Sequence, residues 1–240
     1  MSTGTGTQRG SEARQAGRPA TRARRLVDAL VPALLLALLV ILTAAVVQGA
    51  TVRLDERVNE AAPGQGQGPI VPDLVALSVV DLATPPVWVG ALLILGAVLA
   101  LRRHRWAPLV VTGAATGVLT GTVLLGKDLI GRPAPDYVGV LDAGGAYPSG
   151  HTATALICAG VLAELVAQAL PARRTAAWLI AAGWTLLVGV ALLWLHFHWL
   201  SDVLGSLLLG ALVLWLLLRW PLRLGDTLQS GAQGVPSHRP

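Results

Sequence analysis

The sequence predicts an all-α integral membrane protein with six transmembrane helices. Two observations support this fold class. Of the 240 residues, 54% are hydrophobic and only 13% are charged, whereas a typical soluble domain has about a quarter charged residues. The apolar residues also come in long runs, and a run of about twenty such residues crosses a bilayer core as a helix.

The first apolar run follows a basic segment. Residues 1–25 are rich in Gly, Thr, Ser, Ala and Arg, which predicts a disordered basic cytoplasmic tail. The apolar run over 26–50 is too long to be the core of a signal peptide, so these residues are predicted to be a retained span. Residues 50–72 are predicted to be a polar loop. Residues 73–86 are short, amphipathic and end in Pro, which suits an interfacial helix.

Five further spans follow. They are predicted over about 85–101, 107–126, 152–170, 176–195 and 203–220. A loop rich in Gly, Pro and Asp covers 127–150, and a polar, flexible cytoplasmic tail covers 223–240. Residues 26–222 are therefore predicted to form one membrane domain. The single cysteine, Cys158, excludes an intrachain disulfide and argues against a cysteine-based metal site.

The arginines predict the orientation. Six spans place both termini on one side of the membrane. The two tails and the turns containing RRHR and PARR hold 14 of the 18 Lys and Arg residues, and such segments face the cytoplasm. The chain is thus predicted to be a multi-pass protein of the cell membrane. The net charge of +5 does not indicate a nucleic-acid partner, because the arginines cluster beside the spans.

Polar residues from three segments are predicted to meet at the outer surface. Lys127 closes the third span, His151 begins the fourth within PSGH, and His198 follows the fifth within HFHWLSD. Spans four and five form a down-and-up hairpin, so the two histidines reach the same surface. Ser149 and Gly150 precede a helix N-terminus, where free N–H groups and the helix dipole favour an anion.

The histidines suggest nucleophilic and acid–base chemistry. His198 and Asp202 lie four residues apart, so they share a face of a helical turn. The carboxylate can then keep one imidazole nitrogen protonated and leave the other free to attack. His151 is the candidate proton donor for a leaving oxygen.

Each residue also has a structural explanation. Lys127 can be an interfacial lysine that snorkels, and Ser149 and Asp202 can cap helices. A lone histidine at the end of a span is commonly an interfacial polar residue. The joint occurrence of PSGH and H-x-x-x-D at opposite ends of one hairpin favours a functional site, with which the capping roles are compatible.

These residues resemble the signature of the type 2 phosphatidic acid phosphatase superfamily, which is K-x6-R-P, P-S-G-H and S-R-x5-H-x3-D. Lys127 heads the first part, residues 148–151 form the second, and residues 198–202 end the third. The resemblance covers about 70–220, and the six-span layout is similar to that of the lipid-acting branch. It implies a helical bundle with an outward-facing active site.

The resemblance also implies roles for the residues. It makes His198 the nucleophile oriented by Asp202, with a phosphohistidine intermediate, and His151 the general acid and then the general base. It implies that no metal or other cofactor is required, and that phosphate is held by Lys127, Ser149 and Gly150.

Two positions depart from the signature. The arginine of the first part falls on Ala134, and that of the third falls on Leu192. Arg132 lies two residues before Ala134 and is predicted to bind phosphate as a partial substitute. His196 is a second candidate for that role.

The leading functional prediction is a membrane phosphatase that hydrolyses a lipid phosphate, or an isoprenoid pyrophosphate such as undecaprenyl pyrophosphate, at the extracytoplasmic leaflet. Phosphatidic acid and phosphatidylglycerol phosphate are further candidate substrates. The alternative is a non-catalytic lipid-binding or scaffolding protein of the same fold, because two arginines of the signature are absent. A transporter ranks last, since transporters place charges at mid-membrane and only Glu164 lies clearly within a span. No feature indicates an oligomeric state.

Overall fold

The computed structural model describes residues 8–104, 106–135 and 145–232. Within these ranges the chain forms eight α-helices and one 3₁₀ turn, without a strand. The helices are α1 (Gln8–Val47), α2 (Val52–Glu60), α3 (Ile70–Leu82), α4 (Pro85–Arg103), α5 (Ala107–Ile130), α6 (Gly150–Ala169), α7 (Arg174–Trp194) and α8 (Leu200–Ala232), and the 3₁₀ turn is Pro171–Arg173. The predicted all-α fold class is confirmed.

Six of the helical segments are long and apolar enough to cross a membrane. They are Leu26–Val47, Pro85–Arg102, Ala107–Ile130, Gly150–Ala169, Pro171–Trp194 and Leu200–Arg219. The six-span prediction is confirmed. Helices α2 and α3 have 9 and 13 residues, which is too short to span a bilayer core. Helix α3 occupies the segment predicted to be an interfacial helix.

Helix α6 is the centre of the bundle. It packs against α4, α5, α7 and α8, and 61% of its span is buried, compared with 6% of the span in α1. Small residues such as Ala153, Ala159 and Ala163 line α6 and are buried. Small side chains let helix backbones approach closely in a membrane, so neighbouring helices surround α6 and its N-terminus is fixed by contacts from several of them.

Helices also occur outside the predicted spans. Helix α1 begins at Gln8, within the segment predicted to be a disordered tail, and α8 continues to Ala232, within the other predicted tail. Ala, Leu and Arg have high helix propensity, and extending a formed helix needs no new nucleus. The tail predictions for residues 1–7 and 233–240 lie outside the described residues. The predicted polar loop over 50–72 contains α2.

Candidate active site

The chain segments singled out in the sequence meet at one end of the bundle. Helix α5 ends there, α6 begins there, and the turn between α7 and α8 lies there over residues 195–199. The backbone N–H of Ser149 donates to the carbonyl of Asp202 over 3.4 Å. The start of α6 therefore contacts the start of α8, and the residues before α6 lie beside those before α8.

Ser149 caps α6. Its backbone is extended, with φ −67° and ψ 117°, and its Oγ accepts hydrogen bonds from the backbone N–H and the hydroxyl of Thr152 at 3.4 and 3.2 Å. The predicted capping role is thus confirmed. The N–H groups of the first turn have no helical acceptor. Gly150 and His151 consequently present the positive end of the helix dipole at the site.

The loop before Ser149 is anchored from two sides. The Tyr147 hydroxyl lies 2.7 Å from Oγ1 of Thr43 on α1. Its ring packs on α8 at Gly205, where a Cβ atom would come within 2.6 Å of it. Burial is the main cause that raises the pKa of Tyr147 above its usual value, so this phenol stays protonated and acts as a positional anchor.

His198 and Asp202 form the second half of the site. Nδ1 of His198 lies 3.5 Å from Oδ2 of Asp202, with the side chains 9% and 0% exposed. This separation permits charge attraction, although no hydrogen bond of ordinary geometry reaches Nδ1 within the described part of the chain. Because Nδ1 faces the carboxylate, Nε2 is the nitrogen available for attack.

The Asp202 carboxylate is held on both oxygens. Oδ2 accepts the backbone N–H of Trp199 at 3.0 Å, and Oδ1 accepts Nη1 of Arg132 at 2.8 Å. Asp202 is the third residue of α8, so the contact to Trp199 is the carboxylate arm of a capping box. Asp202 therefore stabilises the first turn of α8 while facing His198.

Lys127 lies in the last turn of α5. Its Nζ donates to the carbonyl of Gly145 at 2.6 Å, and an ammonium has three donors, so donors remain for a ligand. The half-buried imidazole of His151 interacts electrostatically with both His198 and Lys127, and with Asp81 at the end of α3. The structure thus places the predicted lysine and the two histidines close enough to influence one another electrostatically.

Arg132 follows α5 and is bound by two carboxylates. Nη2 lies 2.7 Å from Oδ2 of Asp55, and Nη1 lies 2.8 Å from Oδ1 of Asp202. Nη1 also donates to the Ser201 hydroxyl at 2.5 Å, and the guanidinium carbon lies 5.3 Å from the ring centroid of Trp199. The residue predicted to bind phosphate is therefore engaged within the protein on both Nη atoms.

Sequence reasoning missed Asp55, on α2. Its side chain is 1% exposed, and burial by itself would raise its pKa. Hydrogen bonds from Arg132 and from the backbone and hydroxyl of Ser201 outweigh that effect and hold the pKa of Asp55 below its usual value. In the sequence, Asp55 is one acidic residue of a predicted polar loop, and nothing in its spacing distinguishes it from a solvated carboxylate.

No group of three or more His, Cys, Asp and Glu side chains suited to a metal ion occurs among the described residues. The prediction of a metal-independent site stays a prediction.

The chain matches a known protein family. A family model described as the PAP2 superfamily matches residues 105–226, which is more than half of the chain. The chain belongs to the PAP2 superfamily. The match spans all three motif segments, from Lys127 to Asp202, so the predicted family is confirmed.

The chain is similar in sequence to two named bacterial proteins. A segment of 106 residues is 34% identical to "Lipid A 1-phosphatase" from Porphyromonas gingivalis, covering 43% of this chain but only 22% of that protein. A segment of 171 residues is 28% identical to "Phosphatidylglycerophosphatase B" from Bacillus subtilis, covering 69% of this chain and 82% of that protein. Both names denote lipid phosphatases, which agrees with the predicted enzyme class.

The PAP2 fold is also supported by a solved structure. A crystal structure of a transmembrane PAP2 type phosphatidylglycerolphosphate phosphatase from Bacillus subtilis superposes with a TM-score of 0.68 at 24% identity, covering 87% of this chain and 98% of that one. At this identity the likeness establishes the fold alone.

The two departures from the PAP2 signature occupy different surroundings. Leu192 is fully buried and belongs to an apolar cluster with Val79 and Val80 of α3 and Ala155 of α6. Ala134 is only half-buried. The first position is therefore part of the helix packing in this protein, whereas the second lies near the surface beside Arg132.

His196, the second candidate substitute for an arginine, is turned towards α2. Its Nδ1 lies 3.5 Å from Nδ2 of Asn59 and its Nε2 lies 3.1 Å from the carbonyl of Ala62. Its backbone has φ +58°, a left-handed conformation that is uncommon for a residue with a Cβ atom. These contacts hold the turn before α8 against α2 rather than directing His196 to His198.

Proposed function

We propose that this protein is a phosphatase that hydrolyses the phosphate of a membrane lipid, or the pyrophosphate of an isoprenoid lipid, through a phosphohistidine intermediate. The observation that supports this most is the gathering of His151, His198 and Lys127 at one end of a six-span bundle, with Asp202 behind the second histidine. The names of the relatives supply the substrate class. A lipid phosphate would present its head group at the membrane surface, where this end of the bundle lies.

In the first half-reaction Nε2 of His198 attacks the phosphorus atom. The bond from phosphorus to the leaving oxygen breaks, and His151 acts as the general acid that gives this oxygen a proton. The leaving oxygen is the lipid oxygen of a monophosphate or the bridging oxygen of a pyrophosphate. The positive charge that develops on His198 is stabilised by the Asp202 carboxylate beside Nδ1. In the second half-reaction His151 takes a proton from water, the water oxygen bonds to phosphorus, and the phosphorus–nitrogen bond breaks to release inorganic phosphate.

Phosphate binding is assigned to the groups that face the histidines. Lys127 contributes a cation, and the N–H groups at Gly150 and His151 contribute donors at the start of α6. The Ser149 hydroxyl can donate to the phosphate, because it accepts its two contacts from Thr152. Asp55 and Asp202 already bind Arg132, so Arg132 can contact the phosphate only through its remaining N–H groups.

The site is proposed to face away from the cytoplasm. The loops at the end of the bundle that carries the site hold few basic residues, and the opposite end carries the arginine clusters that favour the cytoplasm. A lipid tail would lie beside the spans, and its phosphate would enter at the extracytoplasmic leaflet of the cell membrane.

Phosphate release by purified protein tests this proposal. The panel contains phosphatidic acid, phosphatidylglycerol phosphate and an isoprenoid pyrophosphate, with His198→Ala and His151→Ala beside the wild type. We expect release from at least one lipid, near-complete loss in both variants, persistence in EDTA and inhibition by vanadate, which mimics five-coordinate phosphorus. Activity that is lost in chelator and restored by Mg²⁺ or Zn²⁺ would overturn the mechanism.

A non-catalytic lipid-binding role is the second candidate, and one observation favours it. Leu192, at a signature arginine position, is built into the apolar packing, and Arg132 is bound by carboxylates. This alternative would be established by two results together. Correctly inserted wild-type protein would release no phosphate from any lipid, and the His198→Ala variant would keep the cellular role of the protein.

A further inference from the structure

Helix α8 carries the carboxylate that faces His198, yet the residue before the helix offers no side-chain cap. The residue before the helix is Trp199, whose side chain has no acceptor. A helix start normally needs an oxygen that accepts the N–H groups of the second or third residue. At α8 the Asp202 carboxylate satisfies the Trp199 N–H, and the N–H of Ser201 still requires an acceptor.

Asp55 provides that acceptor from a different part of the chain. Its Oδ1 accepts the Ser201 N–H at 2.9 Å, and its Oδ2 accepts the Ser201 hydroxyl at 2.7 Å. The two residues are 146 positions apart. A negative charge at this end of a helix also complements the dipole, so α2 caps α8 in place of a local side chain.

Asp55 also holds the arginine that holds Asp202. Oδ2 of Asp55 accepts Nη2 of Arg132 at 2.7 Å, and Nη1 of the same guanidinium donates to Asp202 at 2.8 Å. A guanidinium is planar and rigid, so fixing one end of it fixes the other. Both carboxylates are essentially inaccessible to water, which strengthens these charge-assisted contacts.

We propose that Asp55 is a positioning residue for the His198–Asp202 pair: through Arg132 and the first turn of α8 it fixes the Asp202 carboxylate, and thereby the direction in which Nε2 of His198 points. The inference rests on the proposed function. Asp55 touches neither histidine, and its effect passes through Arg132 and Ser201.

A second buried carboxylate offers a matched control. Asp73 on α3 is 7% exposed, and it accepts the Gly66 N–H at 3.0 Å and the Trp194 indole N–H at 2.7 Å. It therefore resembles Asp55 in burial and in capturing N–H donors. These two partners, Gly66 and Trp194, belong to the loop before α3 and to α7, and neither is a site residue.

The experiment compares Asp55→Asn, Asp55→Glu and Asp73→Asn with the wild type on the lipid phosphate that the wild type hydrolyses best. We expect Asp55→Asn to lower kcat by about ten- to a hundredfold, the loss that follows when a reacting group is slightly misplaced, with KM nearly unchanged. Asp55→Glu keeps the charge and should regain part of kcat. Asp73→Asn should leave kcat per folded molecule within about twofold of the wild type.

Inhibition constants separate positioning from damage to the fold. Vanadate must bond to a correctly aimed His198, whereas inorganic phosphate binds without that bond. We expect the Ki of vanadate to rise at least about tenfold in Asp55→Asn while the Ki of phosphate stays the same, since only transition-state-like binding depends on alignment. This ratio does not depend on the fraction of folded protein.

The outcomes are distinct. Unchanged kcat and an unchanged Ki ratio in Asp55→Asn would overturn the positioning role while leaving the proposed function intact. A raised KM and a raised Ki for phosphate would make Asp55 a support for phosphate binding and would overturn it too. Wild type without phosphatase activity overturns the proposed function and the positioning role together.

Discussion

The hydroxyl oxygen of Ser206 lies 2.9 Å from the carbonyl oxygen of Ser149 and 2.8 Å from that of Asp202, so its one O–H is shared between the two carbonyls. Ser206 lies on α8, one turn after Asp202, and Ser149 caps α6. A single buried hydroxyl thus joins the segment that carries His151 to the segment that carries His198. The relative placement of the two histidines depends on this link and on the direct contact of Ser149 with Asp202.

Replacing Ser206 by Ala should loosen that link. The Ser149 carbonyl keeps the backbone N–H of Ala153 at 3.1 Å, so the substitution removes one buried hydrogen bond, worth about 0.5–1.5 kcal/mol. We therefore expect a lower melting temperature in detergent and a lower kcat. Ser78→Ala is the control, because the exposed Ser78 hydroxyl donates in the same way to the carbonyl of Leu74 in its own helix, at 2.7 Å, and joins no two segments of the site. Equal effects of the two substitutions would contradict the linking role.

Gly150→Ala separates folding from anion binding. A Cβ at Gly150 would meet Val123 Cγ1 at 3.6 Å, which is ordinary van der Waals contact, so the variant should fold. A phosphate oxygen that approaches the backbone would meet that methyl group. We expect KM and the Ki of phosphate to rise by about tenfold, equivalent to about 1.4 kcal/mol.

The control for that substitution is Gly121→Ala on α5, where a Cβ has nothing within 4 Å. It should leave both constants unchanged. A Gly150→Ala enzyme with normal phosphate affinity would show that the anion does not contact this turn.

Restoring the two signature arginines should have opposite results. Leu192→Arg places an unpaired charge in an apolar cluster, which destabilises by several kcal/mol, so little inserted protein is expected. Ala134→Arg lies at a half-buried position and should be tolerated. A hydrogen bond to a charged group contributes about 1.5–3 kcal/mol, so Ala134→Arg should raise kcat/KM on simple lipid phosphates by about tenfold or more. Insertion yield and kcat/KM measure these effects, and a well-folded Leu192→Arg would contradict the packing argument.

Asp55 should make stability depend on acid pH. The pKa of Asp55 in the folded protein lies below its usual value, so its ionised form stabilises the fold at neutral pH. This contribution is retained above about pH 4 and is lost as the pH falls further, through the folded-state pKa. Asp55→Asn should therefore melt below the wild type at pH 7, and the gap between the two melting temperatures should be smaller at pH 3 than at pH 7.

Glu56→Gln, at an exposed neighbouring position on α2, serves as the control for that measurement. It should follow the wild-type melting temperature at both pH values. A constant offset between Asp55→Asn and the wild type from pH 7 to pH 3 would show that the charge of Asp55 is not responsible.

Membrane orientation can be measured with single cysteines in a Cys158→Ala background. Gln65, between α2 and α3, and Ala172, between α6 and α7, are both exposed and lie at opposite ends of the bundle. We expect an impermeant thiol reagent on intact cells to label Gln65→Cys and to spare Ala172→Cys, because the arginine-rich turn faces the cytoplasm. The reverse pattern would move the site to the cytoplasmic side.

The membrane bundle and the segments that meet at the site could be predicted from the amino-acid sequence. An apolar run long enough to cross a bilayer has to form a helix there, because no water is available to bind an exposed backbone. Consecutive spans must alternate in direction, so Lys127, His151 and His198 reach the same end whatever the details of packing. Short motifs with fixed spacing, such as PSGH and H-x-x-x-D, then indicated the family.

The pairing of the charged groups and the choice of core positions could not be predicted, because both depend on how the helices pack. Asp55 and Arg132 are 77 residues apart, and their contact depends on where α2 packs, which no local periodicity encodes. The same holds for Leu192, whose burial depends on α3 lying against α7. Local propensity and span length act over a few residues, whereas a buried ion pair is selected by the shape and low polarity of a space that exists only once all the helices have packed.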